Sequence, residues 1–262
     1  MEPTTQPSSP AIPIAIVCGF TMIAIAIFFT NKNDSSSVAQ TATEDGTEMT
    51  EQAPRAVTEA DYIRGNPNAP ILMIEYSDYD CPFCKQYHAT LNQIMDEYGI
   101  TGKVAWAYRQ FPLAELHPNS PKISEAALCV GKIGGNESFW KFTDAVYNSR
   151  DVDEATNITK LPDLAETAGV SKEEYLSCMD SKEMEEKVMK DIKDGFNAGA
   201  RGTPYTILIV GGQQAVINGS QPYDVVKGIV QNLIDQLDGT FDPATAEVSD
   251  VKKNEQGVPV LD

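Results

Sequence analysis

Apolar side chains gather first in one unbroken run, residues 11–29, and then in short patterned segments that begin near residue 71. Ile71-Leu72-Met73-Ile74-Glu75-Tyr76 is apolar and bounded by Pro70 and Asp78, as a buried central strand would be. The turn-rich Gly65-Asn66-Pro67-Asn68-Ala69-Pro70 leads into it. Phe83, Tyr87, Leu91, Ile94, Met95 and Tyr98 then recur at helical spacing, with Gly99 as the stop. Residues 104–108 read as a second strand, so strand, helix and strand predict a parallel pair joined by a right-handed crossover.

From residue 113 to 199 the pattern is helical only. It predicts segments over 123–133, 137–148, 161–168, 172–179 and 182–198, the last with Met184, Val188, Met189, Ile192 and Phe196 on one face. Strand signals return at 205–210, and Gly211-Gly212 turns the chain into 214–217 as a hairpin. A final helix over 222–237 points Val226, Ile229, Val230, Leu233 and Leu237 inward. The predicted order is β-α-β, a helical block, then β-β-α, an α/β architecture with no internal repeat.

The flanks differ. Residues 1–10 are a polar tail, and the run over 11–30 is long enough at ~1.5 Å per residue to cross a ~30 Å hydrocarbon core. A cleaved signal peptide is the rival reading, but its apolar region is shorter and follows a basic leader, whereas this leader carries Glu2 and no Lys or Arg. A retained single-pass membrane anchor is therefore expected, with Cys18 inside it as a small hydrophobe. Lys32 leans weakly toward a cytoplasmic C-terminal domain, against the cysteine chemistry below. Residues 31–58 read as an acidic, disordered tether, 59–238 as the folded domain and 239–262 as a polar, fraying tail. The net charge of −18 over 262 residues argues against nucleic-acid or acidic-membrane binding.

Cys81-Pro82-Phe83-Cys84 stands where the strand gives way to the helix. Two cysteines at this spacing can close a small disulfide ring, and unpaired N–H groups at a helix start favour the thiolate of the first. The same spacing serves zinc, but a structural site needs two further ligands. Cys129, Cys178, His88 and His117 form no second close pair. No metal, nucleotide or flavin motif stands out, so no cofactor is expected.

GNPNAPILMIEYSDYDCPFCKQYH (65–88), with Arg109-Gln110-Phe111-Pro112-Leu113, His117-Pro118 and Gly202-Thr203-Pro204, resembles the DsbA-type thiol:disulfide oxidoreductases of the bacterial cell envelope over about residues 57–238. The resemblance implies a thioredoxin-like fold (βαβ…ββα) with a helical insertion at about 113–199. It implies Cys81 as the exposed nucleophile, Cys84 as resolving thiol, and Thr203-Pro204 as a cis-proline loop that binds client backbone beside Pro82 and Phe83. An X–Pro pair before a strand is otherwise an ordinary trans turn. Glu75, six residues before Cys81, matches an acid that can relay protons, or is an acid at a strand edge touching water. His88 reads as a solvated or packing residue, and His117 opens a loop near the active face. Cys129 and Cys178 are two buried thiols or, as in several envelope relatives, a structural disulfide.

The expected function is disulfide introduction or exchange in reduced or misoxidised exported proteins, with the domain on the extracytoplasmic side. A membrane redox partner would recycle the pair. Related isomerases carry a dimerisation module where this chain has a tether, so an oxidase and a monomer are expected. An isomerase or reductase of the same fold, and a non-redox peptide-binding or chaperone module, are the alternatives.

Overall fold

A computed structural model describes residues 52–239, 252–253 and 259–261. The expected tail over 1–10, anchor over 11–30 and Cys18 lie outside those residues, as does the tether as far as residue 51. Among the described residues no helix is long and apolar enough to cross a membrane.

The chain runs β1 (Tyr62–Gly65), β2 (Ile71–Ser77), α1 (Pro82–Ile94, with a π turn over Met95–Gly99) and β3 (Val104–Gln110). Helices α2 (Ser120–Asn148), α3 (Leu161–Thr167), α4 (Lys172–Ser181) and α5 (Glu183–Asn197) follow. The hairpin β4 (Tyr205–Val210) and β5 (Gln213–Asn218), α6 (Tyr223–Leu237), β6 (Lys252–Lys253) and β7 (Pro259–Leu261) complete it. The strands form one sheet in the order β1-β3-β2-β4-β5-β7-β6. β2 lies parallel to β3 and antiparallel to β4, so it has neighbours on both sides, which fits its apolar sequence.

Alternation along β2 separates two cores. Ile71 and Met73 enter the larger one with Leu91, Trp106 and Phe139, while Ile74 and Tyr76 enter a smaller one with Phe111, Ala198 and Ile207. Glu75 therefore points to the same face as Ile71 and Met73, the face covered by α1.

Several expectations are corrected. Residues 52–58 are docked rather than free: the Gln52 N–H donates to the Asn197 carbonyl at 2.8 Å. Arg55 pairs with Asp61 and Asp191 at 2.8 Å each. Buried Arg109 continues that network to Asp61 at 3.1 Å and Asp194 at 2.7 Å. Strand β1, antiparallel to β3, has no counterpart in the sequence reading, because three half-buried residues and an exposed glycine carry no alternation. Phe83 is 58% exposed, so the buried stripe of α1 begins at Cys84 and Tyr87.

On α5, Met189 and Phe196 are exposed, and the inward residues are Met184, Val188, Asp191 and Gly195. Asp191 turns in to meet Arg55. Gly195 turns in because a Cβ there would lie 2.6 Å from the Tyr76 ring and 2.8 Å from Phe111. On α6, Ile234 is buried and Leu237 exposed. The two predicted helices over 123–133 and 137–148 are both present, as the two arms of α2 on either side of Gly135, whose φ of 76° and ψ of −169° are non-helical and suit glycine. Instead of only fraying, the C-terminal tail contributes β7, parallel to β5, and β6 beside it.

Candidate active site

β2 ends at Ser77, and the four residues Asp78-Tyr79-Asp80-Cys81 carry the chain to the start of α1. Cys81 is extended (φ −67°, ψ 126°) and Pro82 occupies the first turn, where its missing N–H costs nothing. The carbonyl of Cys81 accepts the Lys85 N–H at 3.2 Å, closing the first helical turn. No side chain caps this end, so its N–H groups remain available to the sulfur.

Both thiols are free and both are buried, Cys81 at 3% exposure and Cys84 at 0%, so the nucleophile expected to be exposed is instead covered, and the two sulfurs differ in their hydrogen bonds and electrostatics. The Cys81 thiol is held down to about 6, first by the hydrogen bond from Cys84 and then, against burial, by the N–H groups of Cys84 and Phe83. Cys84 is completely buried, and burial followed by the adjoining Cys81 pushes it well above its ordinary value. Its sulfur accepts from the Asp78 N–H at 3.5 Å. One sulfur is thus poised to ionise and the other to stay protonated.

Thr203-Pro204 is a cis peptide, and the Thr203 carbonyl lies 3.5 Å from the Cys81 sulfur. The loop before β4 therefore stands directly against the nucleophile, and the Gly219 N–H donates to the Pro204 carbonyl at 3.0 Å from the end of β5.

Glu75 is fully buried within β2, not at a wet strand edge. Burial pushes its carboxyl up to about 8. The Trp106 indole N–H donates to Oε2 at 2.9 Å, while Oε1 has no partner among the described residues. Glu75 also raises Cys84 electrostatically, which puts the carboxyl and the inner thiol in one electrostatic neighbourhood.

Sequence reasoning missed the frame that holds the 78–81 segment. Buried Asp78 accepts from the Leu113 N–H at 2.7 Å, the Ser120 hydroxyl at 2.5 Å and His117 Nδ1 at 2.9 Å. Asp80 accepts from the Thr156 N–H at 2.8 Å. Buried Arg150 donates to the carbonyls of Tyr79 at 2.7 Å and Cys81 at 3.2 Å. Tyr147 joins Tyr108 at 2.8 Å and Ser77 at 3.2 Å beneath Cys84. Asp78 and Asp80 flank the cysteines in sequence and carried a signal. Tyr147 and Arg150, more than 60 residues away, carried none.

His88 is a packing residue. It is buried against Trp106 and Tyr147, bonded to Asp144 at 2.8 Å, and lowered by that burial. Cys129 and Cys178 form a disulfide between α2 and α4, away from the redox pair (S–S 1.98 Å, Cα–Cα 5.8 Å). Among the described residues no group of three His, Cys, Asp or Glu side chains could hold a metal ion.

A mixed sheet with a Cys-x-x-Cys at a helix start and a cis-proline opposite defines a thioredoxin-fold dithiol site. Residues 57–232 match the family described as thioredoxin, and the chain belongs to that family. Its fold is DsbA-like. It is 23% identical to Wolbachia pipientis alpha-DsbA1 (TM-score 0.56; 67% of this chain, 92% of that one). It is 22% identical to oxidised BdbD from Bacillus subtilis (TM-score 0.58; 67% and 94%). Among sequence relatives, a Rickettsia bellii protein provisionally named a protein-disulfide oxidoreductase is 29% identical over 136 residues, 51% of this chain and 50% of that protein. A Mycolicibacterium gilvum Na(+)/H(+) antiporter NhaA 1 is 31% identical over 96 residues, 36% of this chain but only 14% of the antiporter. The chain thus spans half or less of these relatives' lengths.

Proposed function

We propose that this protein is a membrane-anchored thiol:disulfide oxidoreductase that introduces disulfides into exported proteins through Cys81 and Cys84, with its folded domain outside the cytoplasm. The observation that carries the reading is the Cys81 sulfur at an uncapped helix start, 3.5 Å from the carbonyl of cis-linked Thr203, with its thiol held down while burial pushes Cys84 up. The 19-residue apolar run and a second, structural cysteine pair support the envelope location.

In the oxidising direction, a client thiolate attacks the Cys81 sulfur of the Cys81–Cys84 disulfide, forming a mixed disulfide and releasing Cys84. Cys84 is too buried to persist as a thiolate, and protonated Glu75 on the same face of β2 is placed to supply its proton. A second client thiolate then attacks the client sulfur of the mixed disulfide, and Cys81 leaves as a stabilised thiolate. The client gains one disulfide and the protein accepts two electrons. A membrane redox partner would withdraw those electrons again. Thr203, cis-Pro204, Pro82 and half-exposed Phe83 form the surface on which the client backbone lies during exchange.

Mixing the oxidised protein with a reduced two-cysteine peptide tests this. Wild type is expected to form the peptide disulfide stoichiometrically and Cys81→Ala none. Equal outcomes with both proteins would favour a peptide-binding module without redox turnover.

A further inference from the structure

We propose that a second groove beside Pro82, on the side of the β3–α2 and α2–α3 connections, binds a client segment in which an apolar side chain adjoins a basic one. The inference rests on the redox reading above and names a substrate feature for that same site.

The groove has a volume of about 350 Å³, with Pro82, Leu116, Pro118 and Val152 as apolar lining and exposed Asp153 and Glu154 also among its lining. Leu116 is 72% exposed and lines the groove together with Pro82, the residue after Cys81. Both walls are built rather than loose. The wall carrying Leu116 is fastened to buried Asp78 through the Leu113 N–H and His117, and backbone bonds from Leu116 and His117 to the Leu113 carbonyl close it into a tight turn.

The other wall is fastened to Asp80 through the Thr156 N–H. Arg150 also holds it, donating to the carbonyls of Asp151 at 3.1 Å, Val152 at 3.0 Å and Glu154 at 2.9 Å. The same guanidinium holds the Cys81 carbonyl. Both walls are therefore referenced to the four residues that position the nucleophile, and a side chain seated between them is in fixed register with the attacked sulfur. Ordering entropy for the walls is already spent, so the groove can add to binding.

Charge selects the occupant. The Asp153 and Glu154 carboxylates are exposed and make no ion pair among the described residues, in a chain of net charge −18. An acidic client segment is repelled there, and a lysine or arginine next to an apolar residue finds both of its needs met. Residues 203–204 do not line this groove, so it extends the client contact instead of repeating it.

The test uses the full-length oxidised protein in detergent and three reduced two-cysteine peptides, flanked by Leu-Lys, Leu-Glu or Ser-Ser. Each peptide oxidation rate is divided by that for dithiothreitol, which is too small to reach the groove. Leu-Lys is expected to outpace Leu-Glu about fivefold at low salt, the size two exposed ion pairs supply, and the ratio should approach unity in ~1 M salt. The surface double variant Asp153→Asn/Glu154→Gln should bring that ratio below about twofold, and Leu116→Ser should abolish most of the advantage over Ser-Ser. Preferences identical in wild type and variants, or a wild-type preference for Leu-Glu, would overturn the groove while leaving redox activity standing. Failure of the wild type to oxidise even dithiothreitol would remove the redox reading, and this inference with it.

Discussion

At Cys81 and Cys84 the same side chain is given two chemistries by its position. Cys81 sits where helix N–H groups have no partner, while Cys84, three residues on, has turned into the core beneath it. Glu75 is the third member, and it pays for its burial. Its folded value of about 8 lies far above the ~4.3 of a free carboxyl, so the native state keeps a proton that the unfolded chain loses in that window. Stability therefore falls as pH rises from ~4.3 to about 8. Glu75→Gln should remove that dependence. It should make the protein more stable than wild type above pH 8, on the order of 2 kcal/mol after allowing for a partly unsatisfied amide, as read by urea unfolding at several pH values. The variant should also slow resolution of a mixed disulfide. An unchanged pH dependence of stability would show that the carboxyl is not titrating in the core.

At the level of elements, β2, α1, β3 and the β4–β5 hairpin were legible because their apolar periods are local. The site's first line, Cys81 to Cys84, was legible as a motif at a strand–helix junction. What was not legible depends on partners far away in sequence. The 52–58 strap has few large apolar groups and reads as tether, yet Arg55 meets Asp191 across 136 positions. The inward face of α5 likewise includes Asp191 and Gly195, which no hydrophobic pattern selects, at the expense of Met189 and Phe196. Trp106 and Arg150 look like core and surface residues in sequence, and only the fold brings them to Glu75 and Cys81. Arg55→Ala leaves buried Asp191 with Lys187, 3.9 Å away, as its remaining cation and removes the link from Asp191 to Asp61. A loss of about 2 kcal/mol is expected, with hydrogen-exchange protection lost over residues 52–58 and kept in α1. Unchanged protection in the strap would show that its docking does not depend on this network.

Across the whole molecule, the Cys129–Cys178 bridge joins α2 and α4 at a separation of 49 residues. Closing such a loop constrains the unfolded chain by about 4 kcal/mol, so Cys129→Ser/Cys178→Ser should lower unfolding stability by up to that amount. A drop much below 1 kcal/mol would mean the bridge does not restrict the unfolded chain as that model requires. The sheet, the helical insertion and the cis-proline loop together hold one ionisable sulfur at the start of α1. The reduction potential of the Cys81/Cys84 pair as a function of pH tests this most directly. If Cys81 ionises near 6, reduction takes up two protons below that pH and one above it, so the slope should halve there, from ~59 to ~30 mV per pH unit. A slope that stayed at the two-proton value up to pH ~8, where an ordinary thiol begins to ionise, would contradict the account.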